Sequence, residues 1–251
     1  MPAEQTTAIV LRVVEFSETS LVVTLFTREF GKLGALAKGA RRPKGPFESA
    51  LDLLAVCRIV FLRKSSEALD LLTEAKLQRR FRPSGRDLSC LYAGYYVAEL
   101  LSELTDEYDP HPELFDLADE TLQALAGETS VGEEVLRFEL GTLRILGYLP
   151  SLDTCVECAA PVPATGRIAF GLLDGGVLCS KCRGGKRQVA AVNADVLRVM
   201  GRLADPDRRT RHQINIDARH RGELRGLLNR YLVNLLGRKP RMHQYMDWLS
   251  R

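Results

Sequence analysis

The sequence predicts an α+β chain in which a small five-stranded β-barrel precedes an α-helical bundle that carries a cysteine-bearing insert. Three observations carry this reading. About the first eighty residues are short runs of β-branched and aliphatic residues separated by turn material. Near Ser84 the apolar spacing changes to that of a helix. Two C-x2-C pairs, twenty residues apart, then interrupt the helical part.

The strand runs are TTAIVLRVVEF, LVVTLFT, LGALAKG, ALDLLAVCRIVFL and ALDLLTEAKLQ, with SETS, REFGK and RKSSE as turn material. Five strands in about eighty residues, with no helix long enough for a parallel crossover, predict a small antiparallel barrel. The OB-fold is the commonest barrel of that size, and a five-stranded SH3-like barrel is the structural alternative. The run KGARRPKGPF falls between the third and fourth strands. Its glycines and prolines rule out a regular helix or a central strand there.

The helices follow from their ends. Ser84 caps a helix with Leu88, Leu91, Tyr95, Ala98 and Leu101 on one face. Pro112 opens HPELFDLADETLQAL at a first-turn position. Ser130 and Glu133 have capping-box spacing before EEVLRFELGTLRIL, which stops at Gly147. Asn193 caps ADVLRVMGRL, and RHRGELRGLLNRYLVNLLG forms the last long helix. The tyrosines Tyr92, Tyr95 and Tyr96 have the spacing of core residues. The domain expectation is a barrel over 1–82 and a helical domain over 83–251, interrupted by a module at 150–190.

That module carries the most specific chemistry. Cys155-Val-Glu-Cys158 and Cys179-Ser-Lys-Cys182 each form a knuckle offering two thiolates, and two knuckles close a tetrahedron around one metal. The intervening hairpin is rich in Gly and Pro, so a metal is expected to hold it together. The expectation is a four-cysteine zinc ribbon with one structural Zn2+ per chain. Four sulfur ligands leave no place for a reacting water. Cys57 and Cys90 lie in apolar contexts and read as buried thiols.

Charge is segregated although the net is only +3. Residues 99–139 hold thirteen acids against one base, and 181–251 hold seventeen bases against six acids. Lys76 to Arg86 holds five bases and no acid. Within KGARRPKGPF, Lys38, Arg41, Arg42 and Lys44 put four charges into seven residues. Such polarity points to a polyanion on one surface. No phosphate loop, dinucleotide fingerprint, nucleophile elbow or HExxH pair is present, and the four histidines are scattered, so the chain reads as a binding protein and not an enzyme. No apolar stretch has the length of a membrane span and the N-terminus lacks signal-peptide features, which predicts a cytoplasmic protein.

The tract AIVLRVVEFSETSLVVTLFTREFGKLGALAKGARRPK resembles the N-terminal signature of the bacterial RecO family, recombination mediators in DNA repair. HPELF, LGYLPSLDTCVEC and LNRYLVNLLGRKPRMHQYM are similar to that family too, in its order. The resemblance implies an N-terminal OB barrel, a helical domain and a zinc-ribbon insert. It also implies binding of single- and double-stranded DNA and annealing of complementary strands. Its implied partners are RecR and the C-terminal tail of the single-strand-binding protein, with RecA and RecF engaged indirectly, and no membrane. Carried onto this chain, the DNA-contacting candidates are Lys32, Lys38, Arg41, Arg42 and Lys44. Lys76, Arg79, Arg80 and Arg82 form a second set, and Arg208, Arg209 and Arg211 a third. The alternatives from the residues alone are a zinc-containing nucleic-acid-modifying enzyme and a transcription factor.

Overall fold

The computed structural model describes residues 3–42, 45–47, 50–64, 68–83, 88–127, 130–206 and 217–246. It is α+β, a five-stranded N-terminal sheet followed by helices. The packing divides the chain into two compact units, 1–134 and 135–251, a division that falls inside a helix. The sequence periodicity changes earlier, near Ser84, because the first two helices pack against the strands.

In the first unit, β1 (Ala3–Glu15), β2 (Leu21–Thr27), β3 (Gly31–Ala37), β4 (Val56–Leu62) and β5 (Asp70–Arg79) form a closed barrel in the order β1-β2-β3-β5-β4. Alternation decides what fills it. In β3, Leu33, Ala35 and Ala37 are buried while Lys32, Gly34 and Leu36 face outward. Val10, Val23, Leu25, Ile59, Phe61 and Leu72 complete the interior. The pairing is antiparallel except for β3 and β5, which run parallel over three residues and close the ring. Residues 50–55, expected as the start of the fourth strand, instead form a turn, with Leu54 at φ 64°. Their apolar side chains cap the barrel: Ala50, Leu51 and Ala55 join its core.

Helices α1 (Ser89–Leu104) and α2 (Pro112–Leu125) cover one outer part of this barrel. Phe115 of α2 stacks on Phe26 of β2 at 6.3 Å between ring centroids. Pro112 occupies the first helical turn as expected. The expected cap Ser84 lies outside the described residues. The acids of α2 meet bases of the strands: both oxygens of Asp116 accept from Arg28 at 2.9 Å, and Asp119 accepts from Arg79. The acidic tract is therefore partly answered within its own unit.

Lys32 lies at the join between the barrel and the end of α1. Its ammonium donates to the carbonyl oxygens of Ser102, at 2.6 Å, and Thr105. The N–H of Tyr108 donates to the Lys32 carbonyl at 2.9 Å, and Gly31, at φ 69°, lies hard against Asp109. The segment after α1 thus latches onto the free edge of β3.

The second unit packs three helices around a small sheet. They are α3 (Val131–Ile145, entering from the first unit), α4 (Ala194–Ala204) and α5 (Ala218–Leu236). The sheet is β6 (Arg167–Gly171), β7 (Gly176–Leu178) and β8 (Val189–Asn193) in the order β7-β6-β8. Asn193 caps α4 by accepting the Asp195 N–H at 2.9 Å, and Asp217 caps α5 by accepting the His220 N–H. Gly147 and Gly237 end helices in the left-handed conformation.

The sheet is not a detached ribbon. Ile168, Phe170, Leu172, Val177, Ala190 and Val192 share one core with Leu136, Leu140, Leu197, Leu224 and Leu228. The hairpin, expected to be too poor in apolar residues to hold itself together, is packed onto the helices. Its few apolar residues alternate, so nearly all of them reach the same core.

Candidate functional site

The four cysteines come together. Their sulfurs all lie within 4.8 Å of one another, and the Cys158 and Cys179 sulfurs are 3.8 Å apart. That separation is far beyond a disulfide bond, and all four thiols are free. It matches a tetrahedron with metal–sulfur bonds of about 2.3 Å, whose sulfurs stand about 3.8 Å apart.

The backbone builds each knuckle. After Cys155 the chain turns back so that the Ala159 N–H reaches the Cys155 carbonyl at 2.8 Å, with Ala159 itself at φ 56°. After Cys179 the N–H of Arg183 returns to the Cys179 carbonyl at 3.1 Å. The knuckles are held together by Val156 N–H donating to the Val177 carbonyl at 3.1 Å. Gly176 is required at that junction, because a Cβ there would lie 2.6 Å from the Ser151 carbonyl oxygen.

Electrostatics prepare the cluster for a cation. The backbone N–H of Cys179 aims at the Cys155 sulfur, and such donors hold that thiol down to about 6. The N–H of Cys182 likewise lowers the thiol of Cys179. Cys182 is pushed up to about 12, chiefly by its contact with Cys179. Neighbouring thiolates repel, so a bound dication is what permits all four to ionise. The residues therefore fit a metal ion. Cys155 is buried while Cys158 is exposed. Cys57, with its thiol pushed up to about 12 by burial, and Cys90 are buried thiols as expected.

The basic candidates separate by what they touch. Lys38, Arg41 and Arg42 are exposed on the loop after β3. Arg41 N–H donates to the Thr19 carbonyl at 3.1 Å, and its guanidinium pairs with Glu15 at 3.1 Å. The loop is thereby fixed to the β1–β2 turn. Lys32 is engaged at the end of α1. Lys76 and Arg82 are exposed, Arg79 is paired with Asp119, and Arg80 lies 3.6 Å from Asp52. Lys44, Arg208, Arg209 and Arg211 lie outside the described residues.

Packing also reveals residues that charge alone did not. The cross-strand rows Arg12–Thr24–Gly34 and Val14–Val22–Leu36 lie on the outer face of β1, β2 and β3. Phe16, just beyond the end of β1 and 64% exposed, follows Glu15, the residue that pairs with Arg41. Leu69 lies over Gly34. The apolar row Val14–Val22–Leu36, with Val14 exposed and Val22 and Leu36 half-buried, thus ends two residues before Lys38 at the start of the basic loop. The sequence signal was present in R-V-V-E-F, where Arg12, Val14 and Phe16 share one parity.

In the second unit a cleft of about 400 Å³ opens beside α5. Leu172, Val233 and Met246 line it among polar and basic residues including Arg230 and Lys239.

Two family models match the chain: the N-terminal region of recombination protein O over residues 1–81 and its C-terminal region over 85–244. Among curated proteins, the DNA repair protein RecO of Rhodopirellula baltica is 42% identical, over 95% of this chain and 97% of its own length. The protein of the same name from Anaeromyxobacter dehalogenans is 34% identical over 96% and 94%, and that of Myxococcus xanthus 34% over 95% of each. With both regional models matched in order and the relatives covered nearly end to end, the chain belongs to the RecO family.

Proposed function

We propose that this chain is a non-catalytic DNA-binding recombination mediator in DNA repair. It binds single- and double-stranded DNA, anneals complementary strands, and with RecR helps load RecA onto DNA coated with single-strand-binding protein. The observation that carries the reading is the exposed Val14 and Phe16, with half-buried Leu36 in the same cross-strand row as Val14, on the strands that lead to exposed Lys38, Arg41 and Arg42. Stacking surface next to phosphate-neutralising charge is what a sequence-tolerant strand binder needs. The closed five-stranded barrel with its one parallel closure is read as OB-like, with this row on its ligand face.

Annealing follows physically. Complementary strands repel through their phosphates, and a protein with several basic surfaces holds both while bases find partners. Lys76, Arg58 and Arg82 supply a further exposed basic set on the barrel. The cleft beside α5, in which Leu172, Val233 and Met246 lie among polar and basic residues including Arg230 and Lys239, suits an acidic peptide ending in apolar residues, the character expected of the single-strand-binding protein's tail. The four cysteines hold a structural Zn2+, since their spacing and their lack of an open position match such sites.

The test is fluorescence anisotropy of a labelled single strand across a salt series. Arg41→Glu/Arg42→Glu is expected to weaken binding and flatten the log–log salt slope by about 0.7 for each phosphate no longer neutralised. Phe16→Ala is expected to cost about 1–3 kcal/mol with the slope unchanged. If both folded variants bind like the intact protein, this surface is not the DNA site. Strong preference for one duplex sequence would favour a transcription factor.

A further inference from the structure

The second metal knuckle continues as Lys181-Cys182-Arg183-Gly184-Gly185-Lys186-Arg187, and from Gly175 to Asn193 there are four bases and no acid. One of the four is accounted for: Lys186 bridges Glu157 and Asp174, lying 2.7 Å from the latter. That bridge engages both of these acids of the module and offsets one of their two charges. Lys181, Arg183 and Arg187 are exposed, and their side chains have no hydrogen-bond or ion-pair partner among the described residues.

The turn between them is bare. Among the described residues, neither Gly184 nor Gly185, the latter at φ 74°, has an atom within 4 Å of the position a Cβ would take. A polyanion backbone can therefore approach the main chain closely there. The turn is also anchored: Arg183 N–H is tied to the Cys179 carbonyl, and Leu172 N–H donates to the Gln188 carbonyl at 3.1 Å. The second tie sets the β6–β7 turn, with Leu173 59% exposed, beside this basic run. A bound metal would fix the knuckle further, so little ordering entropy would be lost when a ligand binds.

We propose that the 181–187 knuckle is a second phosphate-backbone site for nucleic acid, separate from the barrel loop. It rests on the DNA-binding reading above and adds a surface to it. Three unpartnered cations distributed around an open turn match the repeated phosphates of a strand better than a single anion. Their contacts are sequence-independent and salt-sensitive. The competing role for these cations is to offset the negative charge of four thiolates on one dication, and metal content separates the two.

The experiment compares zinc-loaded intact protein with Lys181→Gln/Arg183→Gln/Arg187→Gln and with Arg41→Glu/Arg42→Glu. Each is checked for zinc per chain and melting temperature before anisotropy on a labelled single strand. The knuckle variant is expected to keep its zinc and its melting temperature. Its salt slope should fall by about 2, and its binding at about 0.1 M salt should weaken on the order of a hundredfold, the difference closing toward 1 M. A knuckle variant that keeps its zinc and binds like intact protein overturns the proposal while leaving the barrel reading standing if the loop variant loses binding. If the knuckle variant sheds its zinc, the cations serve the metal and the proposal is also overturned. Failure of the intact protein to bind DNA defeats the underlying reading instead.

Discussion

Arg225 and Glu139, 86 residues apart in the chain, meet fork to fork: Nη1 and Nη2 of Arg225 each donate to one Glu139 oxygen at 2.6 Å. Both side chains are buried, at 2% and 0% exposure. Asn229, one turn further along α5, accepts from the same guanidinium, with Nε 2.9 Å away. Burying an ion pair costs desolvation that its attraction roughly repays, so the pair fixes the register of α3 against α5 more than it adds net stability.

Removing one partner is therefore expected to be worse than removing both. Arg225→Met should destabilise the second unit by about 3–5 kcal/mol, because Glu139 is left charged and buried. The double variant Arg225→Met/Glu139→Leu should recover much of that stability. Denaturant unfolding of Arg225→Met, Glu139→Leu and the double variant measures the difference; a double variant destabilised by the sum of the two singles would mean the pair has no special coupling.

At the latch on the barrel edge, Gly31→Ala is expected to cost about 1–3 kcal/mol. The residue sits at φ 69°, and a Cβ would come within 2.2 Å of the Asp109 carbonyl oxygen, a backbone atom that cannot swing away. Gly34→Ala meets only the end of the Leu69 side chain and should be near neutral. Thermal melts of the two variants side by side test the contrast.

Cys155→Ser should lower bound metal from about one per chain to background, since a structural site needs all four ligands. Because Ile168, Phe170, Val177 and Val192 are already tied into the helical core, the expected result is a lower melting temperature with helix content retained. Circular dichroism with metal analysis reads both. Complete unfolding on metal loss would show that the shared core is too weak to stand alone.

Alkaline stability should depend on Tyr108. Burial, then a 2.6 Å hydrogen bond donated to the buried carboxylate of Asp70, raises its hydroxyl above the ordinary value near 10. A raised folded value means the folded state holds its proton longer than the unfolded one. The contribution is thus complete below about pH 10 and is lost as pH rises toward the folded value. Tyr108→Phe should cost about 1–3 kcal/mol near neutral pH and flatten the alkaline decline. Unfolding measured from pH 8 to 12 on both proteins, pH values chosen to bracket about 10, checks it.

Periodicity and spacing made much of this molecule legible. LVVTLFT is β2 residue for residue, Pro112 opens α2, and Asn193 caps α4. The C-x2-C pairs announced a cysteine cluster, able to hold a metal ion, that the knuckles assemble. Each of these signals is local: alternation, a cap and a two-residue spacing act within a few residues of backbone. The run at 50–55 misled because its apolar residues cover the barrel from a turn, which composition does not distinguish from a strand.

What the sequence by itself determined was the set of parts: strand runs, helix ends, a cysteine quartet and an excess of basic charge. What only the tertiary structure decided was how those charges are used. Lys32 and Arg79 are engaged by α1 and α2, Arg225 is buried with Glu139, and Arg41 is held by Thr19 and Glu15. A cation reads the same in sequence whether it meets a carboxylate, a helix end or water. The choice is made by long-range contacts, whose energy depends on burial and on distances of a few ångströms that no local pattern encodes.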